Sequence, residues 1–93
     1  MVEWNLINEL SKRRSNIEVV ADILRLGEAG KTEILYSANL SHRQLEKYLA
    51  FLLQEEFLEK IIVPNPGVKY RVTLRGIQLL KNIDAVINSL EGY

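Results

Sequence analysis

Four polar side chains lie within six positions near the middle of the chain: His42, Arg43, Gln44 and Lys47. An arginine can donate two hydrogen bonds to guanine, and a glutamine can pair with adenine in the same two-point manner. Lysine supplies a positive charge for phosphate groups. These residue types at the start of one helix suit contacts to the edges of DNA bases. The alternative is a helix face that is only solvated.

Two further basic groups could contact phosphates. Lys69 and Arg71 are two residues apart, so they lie on the same side of a strand. Lys12, Arg13 and Arg14 are consecutive and precede the first predicted helix. Phosphate contacts supply most of the sequence-independent affinity of a protein for DNA. The alternative for both groups is ordinary solvation of charge.

Two helices must position the first group. Ser41 and Gln44 have the spacing of a capping box, which starts a helix predicted over residues 41–56. A shorter helix, capped by Thr32, is predicted over residues 32–38. A short helix, a tight turn and a longer helix form a helix-turn-helix, whose second helix can lie in the major groove.

The chain before this motif predicts another helix. Ser15 and Glu18 form a second capping-box pattern, and an apolar stripe follows. Gly27 can adopt the left-handed conformation that ends a helix, and Asn39 can do the same for the short helix. Residues 27–30 are predicted to be a loop.

A β-hairpin is predicted after the longer helix. Residues 57–63 and 68–73 read as strands, and Pro66 and Gly67 suit the central positions of a type II turn. Alternate residues of the second strand are apolar and are predicted to be buried: Val68, Tyr70 and Val72. The hairpin is therefore expected to have one buried face and one basic face.

The last predicted helix begins after Thr73, a candidate N-cap, and runs to about Leu90. It carries apolar residues at three- and four-residue spacing, which we predict to form a dimer interface: Leu80, Ile83, Val86, Ile87 and Leu90. We therefore expect a homodimer through this helix. The alternative is that residues 1–11 fold back and cover the stripe with Trp4 and Ile7, and the sequence does not decide whether this segment packs on its own chain or on a partner.

These elements predict a mostly α fold with a small β-hairpin (α+β), a winged helix-turn-helix. Residues 1–11 form an N-terminal arm, residues 12–73 the winged domain and residues 74–93 the dimerisation helix. The chain has no cysteine, no signal-peptide pattern and no apolar run of about 18 residues. We expect a soluble cytoplasmic, nucleoid-associated protein with no membrane contact.

Catalysis is not expected. The chain has one histidine, no glycine-rich phosphate loop and no cluster with metal-ligand spacing. His42 and Glu46 are four residues apart, and such a pair stabilises a helix rather than carries out a reaction. We predict no enzyme activity, no cofactor, no metal site and no small-molecule substrate.

Charge is balanced overall but distributed unevenly. Twelve basic and twelve acidic residues give a net charge of zero. From residue 60 to residue 83 there are five basic residues and no acidic ones: Lys60, Lys69, Arg71, Arg75 and Lys81. The distribution favours DNA binding, whereas the neutral total favours a protein–protein interaction module that does not bind DNA.

The segments RRSNIEVVADIL, KTEILYSANLSHRQLEKYLAFLLQEEFLEK and YRVTLRGIQLL carry a family resemblance. They resemble the archaeal winged-helix proteins related to the "10a" chromatin proteins, over about residues 12–85. The resemblance implies a winged-helix fold, double-stranded DNA binding and dimerisation through the C-terminal helix. This chain departs from the family in its neutral charge and in a shorter final helix.

The predicted function is sequence-specific or architectural binding of double-stranded DNA, with a role in transcription regulation. Helix 41–56 is expected in the major groove and the wing, residues 60–73, on the phosphate backbone.

Overall fold

The computed structural model of the protein describes residues 16–65 and 67–92. The predictions for the arm, for Lys12, Arg13 and Arg14, for the Ser15 cap and for Pro66 lie outside these residues. The described elements, in chain order, are α1 (16–25), β1 (Glu28–Ala29), α2 (Lys31–Ser37), α3 (His42–Gln54), β2 (Leu58–Val63), β3 (Gly67–Val72) and α4 (Leu74–Glu91). The predicted fold class is confirmed, with one strand added.

The added strand is β1, which the sequence analysis treated as a loop. Gly27 ends α1 with φ of 76°, as predicted. The next two residues then pair antiparallel with β3, so that Ala29 lies opposite Tyr70. The sheet has the order β1-β3-β2. Two residues are too few to show the alternation of apolar and polar side chains that predicts a strand. This strand forms because β3, which is distant in the sequence, lies beside it.

Helix α2 begins one residue before the predicted start. Its N-cap is Gly30, and Thr32 lies inside the helix, so the prediction of a Thr32 cap is wrong. Pairing of β1 holds Gly30 in an extended conformation directly before the first turn. Asn39 has φ of 53°, as expected for the residue that ends this helix.

Helix α3 begins as predicted and ends earlier. The Ser41 side chain accepts a hydrogen bond from the Gln44 amide, and the Gln44 side chain accepts one from the Ser41 amide, over 3.1 and 3.0 Å. The helix stops at Gln54 rather than at residue 56. Glu56 has φ of 62°, and the Phe57 amide donates to the Leu52 carbonyl over 2.8 Å. This is a Schellman ending with glutamate in the position that glycine usually takes.

The hairpin is present, but its turn differs from the prediction. Gly67 lies in β3 opposite Val63, and Asn65, with φ of 75°, is a left-handed residue of the turn. Tyr70 faces the core as expected, whereas Val68 is 41% exposed. Ile62, the partner of Val68, is 82% exposed, because the tip of the hairpin extends past the core.

The core lies between the three-helix unit and the base of the sheet. Its buried side chains are Ile23, Leu24, Ala29, Ile34, Ala38, Leu45, Leu49, Leu52, Leu58 and Tyr70. Burying one large aliphatic side chain contributes about 1.5–3 kcal/mol. This core therefore holds α3 by one face and leaves the opposite face in solvent.

Helix α4 begins at the predicted cap. The Thr73 hydroxyl accepts from the Gly76 amide over 3.0 Å and donates to the Glu56 carbonyl over 2.6 Å. Gly92 is the C-cap, with φ of −71°. None of the helices within residues 16–65 and 67–92 is both long and apolar enough to cross a membrane.

Candidate nucleic-acid interface

The exposed face of α3 carries three of the predicted contact residues in a free state. His42, Arg43 and Lys47 are exposed, and within the described chain none of their side chains has a hydrogen bond or an ion pair. Arg43 and Lys47 are four residues apart, so their side chains are neighbours on the helix surface. Leu45 and Leu49 are buried on the other side. The core thus fixes the direction in which the basic pair projects.

Gln44 has a second role. Its side-chain oxygen accepts from the Ser41 amide, which leaves its amide nitrogen as a donor for other partners. Two-point pairing with adenine needs the oxygen as well as the nitrogen. Contact from Gln44 to a base through both atoms would therefore require the capping box to open.

Glu46 is paired with α2 and not with His42. Lys31 Nζ donates to Glu46 Oε1 over 2.8 Å, and this hydrogen bond raises the pKa of Lys31 above its ordinary value. The expected His42–Glu46 pair is not formed, because Glu46 turns toward the start of α2. The Lys31–Glu46 pair joins the two helices of the helix-turn-helix.

The outer face of the sheet is not the basic face that the sequence predicted. Lys69 and Arg71 do share that face, but Glu59 lies opposite Arg71 on β2 and Glu28 lies opposite it on β1. Arg71 Nε and Nη2 donate to Glu59 Oε1 over 3.0 and 2.9 Å. Arg71 Nη1 is 3.9 Å from Glu28 Oε1. The two carboxylates balance the charges of Lys69 and Arg71.

Two lysines remain free on the hairpin. Lys69 is exposed and lies opposite the apolar residue Ile61. Lys60 is also exposed, but it lies opposite Tyr70 and therefore on the other face of the sheet. Neither lysine has an ion pair within the described residues.

Arg75 belongs to the fold. Its Nε donates to the Glu55 carbonyl over 2.8 Å, and its guanidinium lies 5.0 Å from the centre of the Phe57 ring. Arg75 therefore fastens α4 to the end of α3. Of the five basic residues between positions 60 and 81, Arg71 and Arg75 are therefore already paired within the fold and are less available to a ligand.

The predicted dimer residues of α4 differ in burial. Leu80 packs against the core, and Ile83 and Ile87 are half-buried. Val86 and Leu90 are 55% and 56% exposed. Arg25 of α1 forms an ion pair with Asp84, which ties the middle of α4 to the domain. The exposed apolar surface of α4 therefore increases toward its C-terminal end.

An apolar groove of about 840 Å³ runs beside α4. Helices α1, α3 and α4 each contribute to its wall, and its apolar lining consists of Ile17, Val20, Phe51, Phe57, Leu79 and Ile83. Ile83 belongs both to this groove and to the predicted dimer residues.

In the described part of the chain, no three histidine, aspartate or glutamate side chains are placed to hold a metal ion.

Comparison with known sequences gives a family. A model described as winged helix-turn-helix matches residues 13–91. The uncharacterised protein MJ0287 of Methanocaldococcus jannaschii is 43% identical over 51 residues, which are 52% of this chain and 53% of that protein. MJ0290 of the same organism is 35% identical over 79 residues, which are 82% of this chain and 35% of that protein. The chain thus spans about half and about a third of these relatives.

Solved structures share the fold. Sso10a-2, a DNA-binding protein from Sulfolobus solfataricus, is 27% identical with a TM-score of 0.72, covering 82% of this chain and 81% of that one. The oxidised form of MarR from E. coli is 15% identical with a TM-score of 0.69, covering 90% and 72%. A MarR mutant complexed with operator DNA is 14% identical with a TM-score of 0.67, covering 94% and 74%.

The match to Sso10a-2 confirms the resemblance to the "10a" proteins that the sequence carries. The family match covers far more than half of the chain, and it confirms the prediction that the chain is not an enzyme. The three-helix unit, the hairpin and the final helix of this chain are those of a winged-helix DNA-binding fold. The chain belongs to the winged helix-turn-helix family.

Proposed function

We propose that the protein binds double-stranded DNA and regulates transcription, with α3 in the major groove and the hairpin on the phosphate backbone. One observation carries the proposal. Of the arginines in the described chain, Arg43 is the only one without a carboxylate or carbonyl partner. Arg43 projects from the first turn of α3, where the N-terminal residues of a recognition helix contact bases.

The shape of α3 supports this placement. Its 13 residues form a rod of about 20 Å, and the major groove admits one α-helix. Arg43 and Lys47 lie on the face that would enter the groove. His42 and the amide nitrogen of Gln44 lie beside them and supply further donors.

The proposed phosphate contacts come from residues outside this helix. Lys69 is free on the outer face of the hairpin, and it is our first candidate for a wing contact. Lys12, Arg13 and Arg14, which come before the described residues in the sequence, are proposed as a second group. Sso10a-2 is described as a DNA-binding protein, and one MarR structure holds operator DNA, which supports this use of the fold.

The proposal includes a homodimer through the second half of α4. Val86 and Leu90 are more than half exposed, and exposed apolar patches mark interaction sites. A two-fold dimer would present two copies of α3 to one duplex, as helix-turn-helix dimers do. Such a protein would act at the nucleoid, in the cytoplasm.

Salt dependence of duplex binding tests the function. We expect log K for a generic duplex to fall linearly with log salt between about 50 and 200 mM, because each phosphate contact releases counterions. Fluorescence anisotropy of a labelled duplex measures it. The Lys47→Gln variant should show a flatter slope, whereas Lys81→Gln, which removes the same charge from α4, serves as the matched control.

The second candidate function is a protein–protein interaction module. The carboxylates of Glu28 and Glu59 on the outer face of the sheet favour it, since they repel phosphate. A protein that binds no duplex at low salt, or whose binding ignores salt, would contradict the proposed function and support this alternative.

A further inference from the structure

The outer face of the sheet carries a row of alternating charge. Glu28 on β1, Arg71 on β3 and Glu59 on β2 lie side by side at one level of the sheet. Arg71 gives two hydrogen bonds to Glu59, and Glu28 lies on its other side at 3.9 Å. The row has one more negative charge than positive charge.

A phosphate cannot approach Arg71 without meeting this row. It would have to displace Glu59 from the guanidinium, and it would lie close to two carboxylates as it did so. Opposite charges attract and like charges repel with similar strength at these distances. The nearby acids therefore offset most of the attraction between Arg71 and a DNA backbone.

Lys69 stands in a different environment. It is on the same face as Arg71, two residues nearer the hairpin tip, and Ile61 lies opposite it on β2. Its ammonium has no carboxylate partner within the described residues. Lys69 can therefore give its full charge to a phosphate.

We propose that Glu59, assisted by Glu28, holds Arg71 in the sheet and keeps it out of the DNA interface. Lys69 is then the phosphate contact of this face, and Glu59 limits the affinity of the wing for DNA. This inference rests on the proposed function. It assigns Arg71 to the joining of three strands, and it makes Glu59 a residue that weakens binding.

Glu59→Gln tests the inference directly. The substitution frees Arg71 and removes one negative charge, so we expect duplex affinity to rise roughly threefold to tenfold at 0.1 M salt. The slope of log K against log salt should steepen by up to one phosphate contact. Exposed ion pairs stabilise folds little, so the variant should fold normally, which circular dichroism checks.

An exchange of the whole pair separates the roles of the two basic residues. The double variant Glu59→Gln with Arg71→Gln keeps the net charge and should bind with the slope of the unaltered protein. Lys69→Gln should flatten that slope by about one contact. If the double variant flattens it as much as Lys69→Gln does, Arg71 contacts phosphate in the unaltered protein and the inference is wrong.

Asp22→Asn is the matched control. Asp22 is an acidic partner of Arg25, which keeps Asp84 after the change, just as Arg71 keeps Glu28. The substitution also raises the net charge by one, but away from the hairpin. An affinity gain in Asp22→Asn equal to that in Glu59→Gln would overturn the inference, because the cause would be net charge alone. If neither the unaltered protein nor any variant binds duplex, the proposed function itself is overturned, and this inference falls with it.

Discussion

The arginine side chains of the described residues form two groups, those that are hydrogen-bonded within the fold and one that is not. Arg25, Arg71 and Arg75 are each bonded to a carboxylate or a carbonyl, and these bonds join separate elements of the fold. Arg43 has no such partner within the described residues. A guanidinium that is free in the unbound protein has no existing bond to lose when it meets a base, so Arg43 is the residue in which specificity is most directly tested.

We expect Arg43→Ala to weaken binding to a cognate site by about 1–3 kcal/mol and binding to random duplex by less. The reason is that a two-point contact to guanine discriminates between bases, whereas a phosphate contact does not. A cognate duplex is first selected from a random library by its binding to the unaltered protein. Competition titrations with this duplex and with a random duplex then measure both losses. Equal losses on the two duplexes would make Arg43 a phosphate contact only.

From the Lys31–Glu46 pair we expect a small dependence of fold stability on pH in the alkaline range, because Lys31 is exposed. The Glu46 hydrogen bond raises the pKa of Lys31 above its ordinary value, so the folded state holds this proton more tightly than the unfolded state. Its contribution is fully present below the unfolded pKa and is lost as pH rises through the folded pKa. We expect the urea midpoint of the unaltered protein to fall further above pH 10.5 than that of Glu46→Gln. Parallel curves for the two proteins would contradict the pairing.

At the scale of elements, α4 is held to the rest of the fold by a close approach at its first turn. Gly76 is buried there, and a Cβ at this position would lie 2.2 Å from the Phe57 carbonyl oxygen and 2.7 Å from Val72 Cγ2. The backbone at Phe57 cannot retreat easily, because the Phe57 carbonyl accepts from the Thr73 amide. The two preceding carbonyls are also held, since Glu56 accepts from the Thr73 hydroxyl and Glu55 from Arg75 Nε.

We therefore expect Gly76→Ala to lower the free energy of unfolding by about 3 kcal/mol, through overpacking against backbone atoms. Chemical denaturation followed by circular dichroism measures the loss. Gly30→Ala is the matched control, since its Cβ would meet only the Val68 carbonyl oxygen, at 3.7 Å. A loss in Gly76→Ala no larger than in the control would show that the contact relaxes freely.

Local signals predicted most of the elements. The predicted caps at Ser41 and Thr73 are confirmed. They could be predicted because each accepts a hydrogen bond from the backbone amide three residues further along the chain. Strand β1 and the two acidic neighbours of Arg71 were missed, because both depend on which strands lie side by side. The sequence shows that Lys69 and Arg71 share a face, but only the register brings Glu59 to it.

At the scale of the molecule, the fold places acidic side chains beside basic ones. The outer face of the hairpin, which the sequence presents as basic, carries Glu59 from its own strand β2 and is flanked by Glu28 from β1, and these acids offset its positive charge. The free positive charge of the described chain is thus concentrated at a few points, including α3 and the hairpin lysines. A single copy with so few phosphate contacts would bind DNA weakly, so the proposed function favours two copies acting on one duplex.

The dimer prediction rests on the far half of α4. Covering each large aliphatic side chain there contributes up to about 1.5–3 kcal/mol, and Val86 and Leu90 are more than half exposed in one chain. We expect the unaltered protein to have the mass of a dimer in solution and Ile87→Glu that of a monomer, because a charge in the apolar stripe opposes pairing. Multi-angle light scattering measures both.

Asn88→Glu is the control for that experiment, since it places the same charge on the next, exposed residue of the helix. It should remain dimeric. A monomeric unaltered protein would contradict the interface and support the alternative in which residues 1–11 cover the stripe within one chain. A dimer that persists in Ile87→Glu would place the contact elsewhere, and the spacing of the two copies of α3 would then no longer follow from α4.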